Sequence, residues 1–274
     1  MLRFSSLAPS RSGQAPAVRP LLNLGCGRRR HPDWTNADLV PAGPDVRAVD
    51  VRRPLPFAAG TFTAAYASHV LEHLVPAEAA GLVRELARVL VSGGIVRLVV
   101  PDLEGVVRGY LASLDAVDAR DDEDSRWWHR WMTVELLDQL VRRRSGGVMR
   151  RWWSCDPVPC RDRIEARLGA EAAVAIAGLA AARSAGVVDP ASILFDEPVA
   201  DRAAARFAGR GERHQWMYDR ISLAAVLRDA GFVEPRRVGA AESAIPGFAG
   251  YLLDADAAGR PHKPDSLFME AVRP

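Results

Sequence analysis

Three histidines of this chain stand where they could accept a proton. His69 and His73 flank Glu72 in an H-x-x-E-H pattern, and His214 begins a polar and aromatic stretch that ends at Asp219. A neutral imidazole can take a proton from a hydroxyl group near neutral pH. The sequence therefore predicts general-base chemistry, with His73 and His69 as the first candidates and His214 as the next. The alternative for His73 and His214 is a structural role, in which the ring pairs with a nearby group.

The same H-x-x-E-H pattern is also found in a class of zinc peptidases. Such a site needs both histidines on one helix face and a third ligand, whereas here the pattern begins where a predicted strand ends. Cys155 and Cys160 also carry metal-binding chemistry, but no paired Cys or His cluster lies near them in sequence. The sequence therefore predicts no metal site and disfavours a zinc hydrolase.

A glycine turn is the second place where chemistry is expected. The apolar run of residues 21–24 ends in Gly25, Cys26 and Gly27. Glycine accepts the positive φ of tight turns and lets a ligand approach bare backbone. A buried parallel strand that ends this way is typical of nucleotide-like ligand sites in α/β sheets. The alternative is an ordinary tight turn, since any buried strand can end in one.

Two acids stand at the ends of the next two predicted strands, Asp38 in the second and Asp50 in the third. An acid at the tip of the second strand accepts hydrogen bonds from the ribose hydroxyls of a bound nucleoside. Asp38 follows Gly25 at less than the roughly twenty residues typical of dinucleotide enzymes. This spacing predicts an abbreviated helix between the two strands and disfavours a nicotinamide oxidoreductase. A solvated turn acid is the alternative for Asp38.

Alternating strand and helix patterns must position these residues. Apolar runs predict seven strands, over residues 21–24, 34–39, 46–51, 62–68, 95–100, 232–238 and 266–272. A clean amphipathic helix follows Pro76 and ends at residues 92–94, between the fourth and fifth strands. This order predicts a parallel sheet with right-handed crossovers that an antiparallel pair of strands closes.

Between residues 103 and 219 the strand pattern disappears. Helices are predicted over residues 103–114, 127–144, 164–183 and, on the return to the sheet, 222–230, with a break at 145–147. We therefore divide the chain into a flexible N-terminal arm (1–20), a cofactor-binding half (21–102), an α-helical, acceptor-binding insertion (103–219), and a closing helix and strands (220–274). Substrates of α/β sheets bind beside the strand tips, where such an insertion would lie.

Tryptophan and arginine concentrate in this insertion, at residues 126–131 and 150–153. Trp131 falls at helical spacing with two leucines, so core packing is the first interpretation of the cluster. A surface for sugar rings is the second interpretation, and stacking on nucleic-acid bases is the third. Glu135 and Asp138, about one helical turn apart, could bind acceptor hydroxyls or a bridging Mg ion.

Composition bounds the class of protein. The chain has 274 residues, 49% hydrophobic and 26% charged, with a net charge of +2. These values are ordinary for a globular protein and give no basis for binding nucleic acid or an anionic membrane. Three cysteines argue against a disulfide scaffold and for a reducing compartment. Residues 1–20 lack the apolar core of a signal peptide, and no later run is long enough to span a bilayer. We expect a cytoplasmic protein with no membrane span.

In their order along the chain, several motifs resemble the class I S-adenosylmethionine-dependent methyltransferases. They resemble especially the compact bacterial type often found among genes for sugar and polysaccharide modification. The matching stretches are residues 23–27 (Asn-Leu-Gly-Cys-Gly), 34–39, 54–57 (Pro-Leu-Pro-Phe), 67–73, 88–90 and 93–103, and beyond these 214–219 and 267–270. The resemblance implies an α/β fold, a Rossmann-like seven-stranded and mostly parallel sheet with a last antiparallel strand, plus an α-helical insertion after the fifth strand.

The resemblance also implies which residues bind S-adenosylmethionine. They are Gly25, Cys26, Gly27, Asp38, Asp50, Val51, Ser68 and His69. The backbone of the glycine turn would hold the methionine part, Asp38 would take the ribose hydroxyls, and Asp50 with Val51 would take the adenine. Ser68 and His69 would face the methionine part and the transferred methyl group. Arg29 departs from the family, which commonly has a third glycine at that position.

The expected function is S-adenosylmethionine-dependent methyl transfer to a small molecule or glycan, by O-methylation of a sugar hydroxyl. Because the cofactor supplies the electrophile, the protein must orient the substrates and assist a hydroxyl of high pKa with a base or a metal ion. S-adenosyl-L-methionine is the expected cofactor, with Mg²⁺ as an optional second one. The alternative is a non-catalytic cofactor-binding or interaction module with the same fold. The sequence leaves the acceptor and the oligomeric state open.

Overall fold

The computed structural model of the chain describes residues 20–181, 200–208 and 211–274. Its strands are β1 (Leu21–Leu24), β2 (Trp34–Asp38), β3 (Val46–Ala48), β4 (Phe62–Ser68), β5 (Leu90–Pro101), β6 (Val233–Arg237) and β7 (Ser266–Val272). They form a seven-stranded sheet in the order β3-β2-β1-β4-β5-β7-β6. The expected flexible arm lies outside the described residues, apart from Pro20.

The strand pairing confirms the mostly parallel, Rossmann-like sheet. β1 pairs in parallel with β2 and β4, and β4 pairs in parallel with β5. β7 runs antiparallel between β5 and β6, which confirms the antiparallel pair predicted to close the sheet. Because parallel strands end at the same edge of a sheet, the residues that follow β1, β2, β4 and β5 meet there, at the position where α/β sheets bind ligands.

Eight helices accompany the sheet in the described part of the chain. They are α1 (Pro76–Val89), α2 (Leu103–Arg120), α3 (Glu123–Val141), α4 (Gly147–Trp153), α5 (Arg161–Leu168), α6 (Ala170–Ala181), α7 (Asp201–Ala208) and α8 (Arg220–Asp229). α1 begins at Pro76, which suits a first turn because that position needs no N–H donor. α8 begins after Asp219, whose carboxylate accepts hydrogen bonds from the N–H groups of Ile221 and Ser222. None of the described helices has the length and apolar character needed to cross a bilayer.

Two of the predicted helices are absent or interrupted. The helix expected between β1 and β2 is reduced to turns over residues 25–33. The single helix expected over residues 164–183, which runs past the described residues, is wrong because it breaks at Gly169. That glycine has φ of +82°, and a Cβ there would lie 2.5 Å from the carbonyl oxygen of His262. A contact with a distant loop therefore sets the break between α5 and α6.

The two faces of the sheet bury different groups. Leu22, Ala65 and Val96 lie on one face and belong to a core that includes the apolar sides of α1 and α8. Trp34 and Tyr66 lie on the opposite face, in a core completed by side chains from residues 238–253. This alternation of side chains along the strands is what a sheet buried on both faces requires.

A buried charged cluster fastens the loop between β6 and β7 to the sheet. Arg97 of β5 has no exposed surface and donates to the carboxylates of Asp254 (2.7 Å) and Glu270 (3.0 Å). Its remaining N–H groups donate to three backbone carbonyls within residues 239–242. Asp254 also accepts from the hydroxyl of Tyr66 at 2.5 Å. Buried charges are stable only when they are satisfied in this way.

The helical segment, residues 103–219, leaves and rejoins the sheet at one point. Asp102 and Tyr218 form an isolated parallel β-bridge, and the N–H of Leu103 donates to the carbonyl of Tyr218 at 3.0 Å. Within the segment, α2 to α6 share a hydrophobic core of their own around Trp131 and Trp152. The segment therefore packs as a separate unit above the edge where the parallel strands end.

Candidate active site

The turn after β1 has the open backbone that the sequence predicts. Gly25 and Gly27 both have positive φ, 64° and 50°. A Cβ at Gly25 would lie 2.3 Å from Cγ2 of Val70, so a larger residue there would collide as well as strain the backbone. The N–H of Cys26 donates to the carbonyl of Ala37 at 3.2 Å. The turn is therefore fixed to the end of β2.

Asp38 closes the glycine turn from the end of β2. Its Oδ2 accepts a hydrogen bond from the N–H of Gly27 at 2.9 Å, and its Oδ1 accepts from the N–H of Val40 at 3.0 Å. An ionised carboxylate offers about four acceptor positions, so Asp38 keeps capacity for ribose hydroxyls. The sequence did not reveal its second task, which is to shape the turn.

Asp50 is already held by a neighbouring side chain. Arg52 donates from Nε to Oδ1 and from its terminal nitrogen to Oδ2, both at 2.9 Å. These bonds lower the pKa of Asp50. An adenine amine, the partner expected for Asp50, would have to share the carboxylate with Arg52. Val51 lies beside Asp50 in the same cleft.

His69 follows β4 in a left-handed backbone conformation, with φ of 54°, which is uncommon for a residue other than glycine. Its N–H donates to the carbonyl of Val99 at 2.8 Å. The ring nitrogens are both in contact, since Nε2 lies 3.0 Å from Oγ of Ser266 and Nδ1 lies 3.0 Å from Oε1 of Glu72. The imidazole is therefore held in one orientation between β7 and the acid.

Glu72 is the centre around which the structure brings the three predicted histidines together. It is fully buried within a short 3-10 turn, Leu71–His73. The rings of His73 and His214 meet edge to face, with centroids 4.9 Å apart. Sequence reasoning missed the central place of Glu72, although this residue is the invariable acid of the H-x-x-E-H pattern that drew attention to His69 and His73.

His214 reaches this cluster because its own segment crosses the 3-10 turn. The N–H of His214 donates to the carbonyl of Gln139 at 3.0 Å, and the N–H of Gln215 donates to the carbonyl of Glu72 at 2.6 Å. Burial lowers the pKa of His214 to about 4, so its ring is neutral at pH 7. Burial alone would raise the pKa of Glu72, but His69 first, then His73 and His214, bring it down to about 2.

His69 lines three clefts at this edge of the sheet. We name each cleft by the residues that define it. They are the glycine-turn cleft (Gly25, Cys26, Ser68), the acid cleft (Asp38, Asp50, His73) and the helical cleft (Glu135, Gln139, His214). His73 and His214 therefore line different clefts.

The helical cleft has a polar lining with one aromatic wall. Trp153 comes from α4, Arg142 follows α3, and Lys263 and Asp265 come from the loop before β7. Burial raises the pKa of Asp265, so this carboxyl titrates closer to neutral pH than an exposed one does. Sequence reasoning missed Arg142, Lys263 and Asp265, because no local pattern marks loop residues that fold over a distant strand end.

Glu135 and Asp138, the predicted Mg²⁺ pair, each have hydrogen-bond partners of their own. Glu135 accepts two hydrogen bonds from Nε of Arg167, at 2.7 and 2.9 Å. Asp138 accepts from Arg142 and from the N–H of Val148, each at 2.7 Å, and thereby caps the start of α4. A magnesium ion on these two residues is not supported, since each carboxylate is already paired with its own arginine.

The tryptophans divide between core and cleft. Trp131 and Trp152 are fully buried, which confirms core packing for these two, whereas Trp153 lines the helical cleft. The thiols of Cys26 and Cys160 are not activated, since burial raises the pKa of both to about 11. A thiol of such high pKa stays protonated and is a poor nucleophile or metal ligand at neutral pH.

Residues 22–98 match a family model described as a methyltransferase domain. The matched range runs from β1 into β5 and contains the glycine turn, Asp38, Asp50 and the H-x-x-E-H pattern. This part of the chain, less than half of its length, is therefore similar to a methyltransferase domain. A search of curated proteins gave no significant match to this chain.

Several solved structures resemble the chain at low identity. An S-adenosylmethionine-dependent methyltransferase from Mesorhizobium loti is 16% identical, with 96% of this chain and 94% of that one covered and a TM-score of 0.37. A sugar N-methyltransferase from Streptoalloteichus is 26% identical, covering 30% of this chain and 40% of that one, with a TM-score of 0.25. Phosphoethanolamine N-methyltransferase 2 from Haemonchus contortus, in complex with S-adenosyl-L-methionine, is 9% identical, covering 96% and 50%, with a TM-score of 0.38.

Proposed function

We propose that this chain transfers a methyl group from S-adenosylmethionine to a hydroxyl group of a small molecule or glycan held in the helical cleft. The observation that carries the proposal is the position of His69, which lines both clefts suited to the cofactor and also the helical cleft. A donor on one side and an acceptor on the other would meet beside this ring. Bringing two reactants together in a fixed orientation is the main task of a methyl-transfer protein.

The residues of the glycine-turn cleft and of the acid cleft fit the cofactor. The glycine turn offers bare backbone, with open space beside Gly27, and Asp38 keeps free acceptor positions for ribose hydroxyls. The acid cleft would hold the adenosine part, and the glycine-turn cleft would hold the methionine part next to Ser68. When bound, S-adenosylmethionine supplies an electrophilic methyl group on a sulfonium.

The helical cleft suits an acceptor rich in hydroxyl groups. Arg142, Lys263 and Asp265 provide polar partners, and Trp153 provides an aromatic face, a combination that matches a sugar ring. The proton that leaves the acceptor hydroxyl needs a receiving group, and the histidines around Glu72 are the candidates. On this proposal the helical segment is the acceptor-binding part of the chain.

The purified chain should bind S-adenosylhomocysteine, the demethylated product, and should not bind NAD. Asp38 follows Gly25 by thirteen residues, fewer than the roughly twenty typical of dinucleotide enzymes. Calorimetric titration with both ligands measures this directly. NAD binding that is tighter than S-adenosylhomocysteine binding would exclude the proposal. A screen of sugar acceptors for release of S-adenosylhomocysteine would then identify the acceptor.

Asp38→Asn should weaken S-adenosylhomocysteine binding by about 1–3 kcal/mol, because buried ribose hydroxyls would lose a charge-assisted acceptor. Asparagine is preferable to alanine here, since its side-chain oxygen can still accept from Gly27 and preserve the turn. Asp33→Asn, at an exposed acid of the preceding turn, is the matched control and should bind as the parent does. If Asp38→Asn bound S-adenosylhomocysteine as tightly as the parent, Asp38 would only shape the turn and would not bind the ribose.

A further inference from the structure

The cluster of Glu72, His73 and His214 has unsatisfied polar atoms at its centre. Both carboxylate oxygens of Glu72 and Nδ1 of His73 are buried, and none makes an aligned hydrogen bond with any described residue. His69 approaches Oε1 of Glu72 at 3.0 Å and gives it partial compensation. Burying a carboxylate oxygen and an imidazole nitrogen without partners is unfavourable, so a bound group that satisfies them would stabilise the cluster.

We infer that Glu72, His73 and His214 bind a divalent transition-metal ion, for which zinc is the best match. One ligand atom from each of the three residues lies within 4.8 Å of the others. Tetrahedral zinc with bonds of about 2.0–2.2 Å needs its ligand atoms about 3.4 Å apart. A contraction of about 1.4 Å would therefore complete the site, which side-chain rotation can supply. No other group of three or more His, Cys, Asp or Glu side chains with such spacing occurs in the described ranges.

The donor set selects the kind of metal. Two imidazoles and one carboxylate suit Zn²⁺ and its neighbours Co²⁺ and Fe²⁺, whereas Mg²⁺ prefers oxygen ligands and retains its waters. The site also differs from the pattern considered in the sequence, because His69 is not in the ligand group and the third ligand comes from a distant segment. His69 instead contacts the ligand Glu72 and Ser266, as groups that orient metal ligands do.

The ligands are held in place by the backbone. Glu72 and His73 belong to the same 3-10 turn, and the N–H of Gln215 donates to the carbonyl of Glu72 at 2.6 Å. This bond fixes the segment that carries His214 against the turn that carries the other two ligands. Such support from short, rigid contacts favours metal binding, since little further ordering is needed.

Metal binding does not depend on the proposed function, but its role in the reaction does. Three protein ligands leave a fourth position for water or substrate, and His214 lines the helical cleft. An acceptor oxygen bound there would be held and polarised by the ion. His73 and His214 would then be ligands and not bases. Loss of activity in His73→Ala follows from either role, so a metal titration is needed to separate them.

The test is a Co²⁺ titration of the full chain after treatment with a chelator and dialysis. We expect one ion per chain and the visible absorption bands of four-coordinate Co²⁺, which Zn²⁺ should abolish and Mg²⁺ should leave unchanged. Glu72→Gln and His214→Gln each remove one ligand with little change in size. Each should weaken Co²⁺ binding by more than about 100-fold, beyond the effect of losing an outer partner. His129→Gln, a half-buried histidine beside Ser113, is the matched control and should bind as the parent does.

Thermal unfolding of the same samples shows whether the variants fold. Zn²⁺ should raise the Tm of the parent and of His129→Gln but not of the two ligand variants. If Glu72→Gln does not fold, His73→Gln takes its place. Absence of the cobalt bands in the parent, or equal affinity in all these proteins, would overturn the inference. A parallel titration with S-adenosylhomocysteine separates the two proposals, because each ligand reports on a different site.

Discussion

Arg97→Met should lower the free energy of unfolding by about 3–5 kcal/mol, the typical loss when one partner of a buried ion pair is removed. Methionine fills much of the same space, so the effect isolates the charge. It would leave Asp254 and Glu270 buried without their guanidinium and would release the carbonyls of residues 239–242 from their donors. Urea unfolding followed by circular dichroism measures the change.

Arg236→Met is the control for this experiment, because Arg236 contacts the same acid from the surface. Its guanidinium lies 3.2 Å from Oε2 of Glu270, and its side chain is 55% exposed. An exposed pair of this kind contributes about 0–1 kcal/mol. If the two variants lost equal free energy of unfolding, burial of Arg97 would add nothing, and the buried cluster would not be a major source of stability.

The loss in Arg97→Met should also depend on pH. In the parent, burial would raise the pKa of Glu270, but hydrogen bonds from Ala244 and Ser243, together with Arg97, hold it below its usual value. A carboxyl of lowered pKa adds stability above its unfolded pKa, and that stability is lost as the pH falls through the folded pKa. The difference between parent and variant should therefore shrink as the pH is lowered below about 4, the ordinary value for glutamate.

Trp131→Ala should destabilise the helical segment by about 3–5 kcal/mol, the usual loss for truncating a buried tryptophan. Its ring is fully buried and packs edge to face on Trp152, with centroids 5.6 Å apart. Nε1 also donates to Glu135 at 3.1 Å, so the acid would lose a partner as well. The sheet has a separate core, and binding of S-adenosylhomocysteine should fall less than the stability of the segment. Far-ultraviolet circular dichroism during unfolding, with calorimetry at low temperature, measures both.

Trp127→Ala is the matched variant in the same helix. Trp127 is only partly buried against this core, and its Nε1 donates to Glu123 at 3.2 Å near the helix start. We expect a loss of about 1 kcal/mol, the typical value for a point substitution. If Trp131→Ala kept the parental stability and lost only the use of an acceptor, Trp131 would instead be a contact of the helical cleft.

The sequence predicted the features that depend on local pattern. Apolar runs and the glycine turn gave β1, β2, β4 and the strand pair at the end of the sheet, because strands buried on both faces of a sheet are nearly continuously apolar. The placement of Asp38 at the tip of β2 followed from the same order. These predictions needed no knowledge of which segments meet across the fold.

Features that depend on distant partners could not be predicted. Glu135 and Asp138 have the spacing of a ligand pair, but Arg167 and the start of α4 occupy them, and no pattern near residue 135 announces this. Gly169 has ordinary helical neighbours, and only the close approach of the loop at His262 explains the break. His214 joins Glu72 because the helical segment returns across the 3-10 turn, a path that periodicity does not describe.

The pairing of Asp102 with Tyr218 gives the helical segment a narrow neck, and this has an evolutionary consequence. When the two ends of an inserted unit adjoin, its interior can be lengthened, shortened or exchanged without disturbing the host domain. The sequence and length of the segment can therefore vary as a cassette, an exchangeable unit, while the structure of the sheet is preserved. His214 limits that freedom, because it belongs to the helical segment and yet its ring contacts His73 of the sheet domain. A recombination point before residue 211 would leave the Glu72 cluster whole, whereas one at the neck itself would carry His214 away with the cassette.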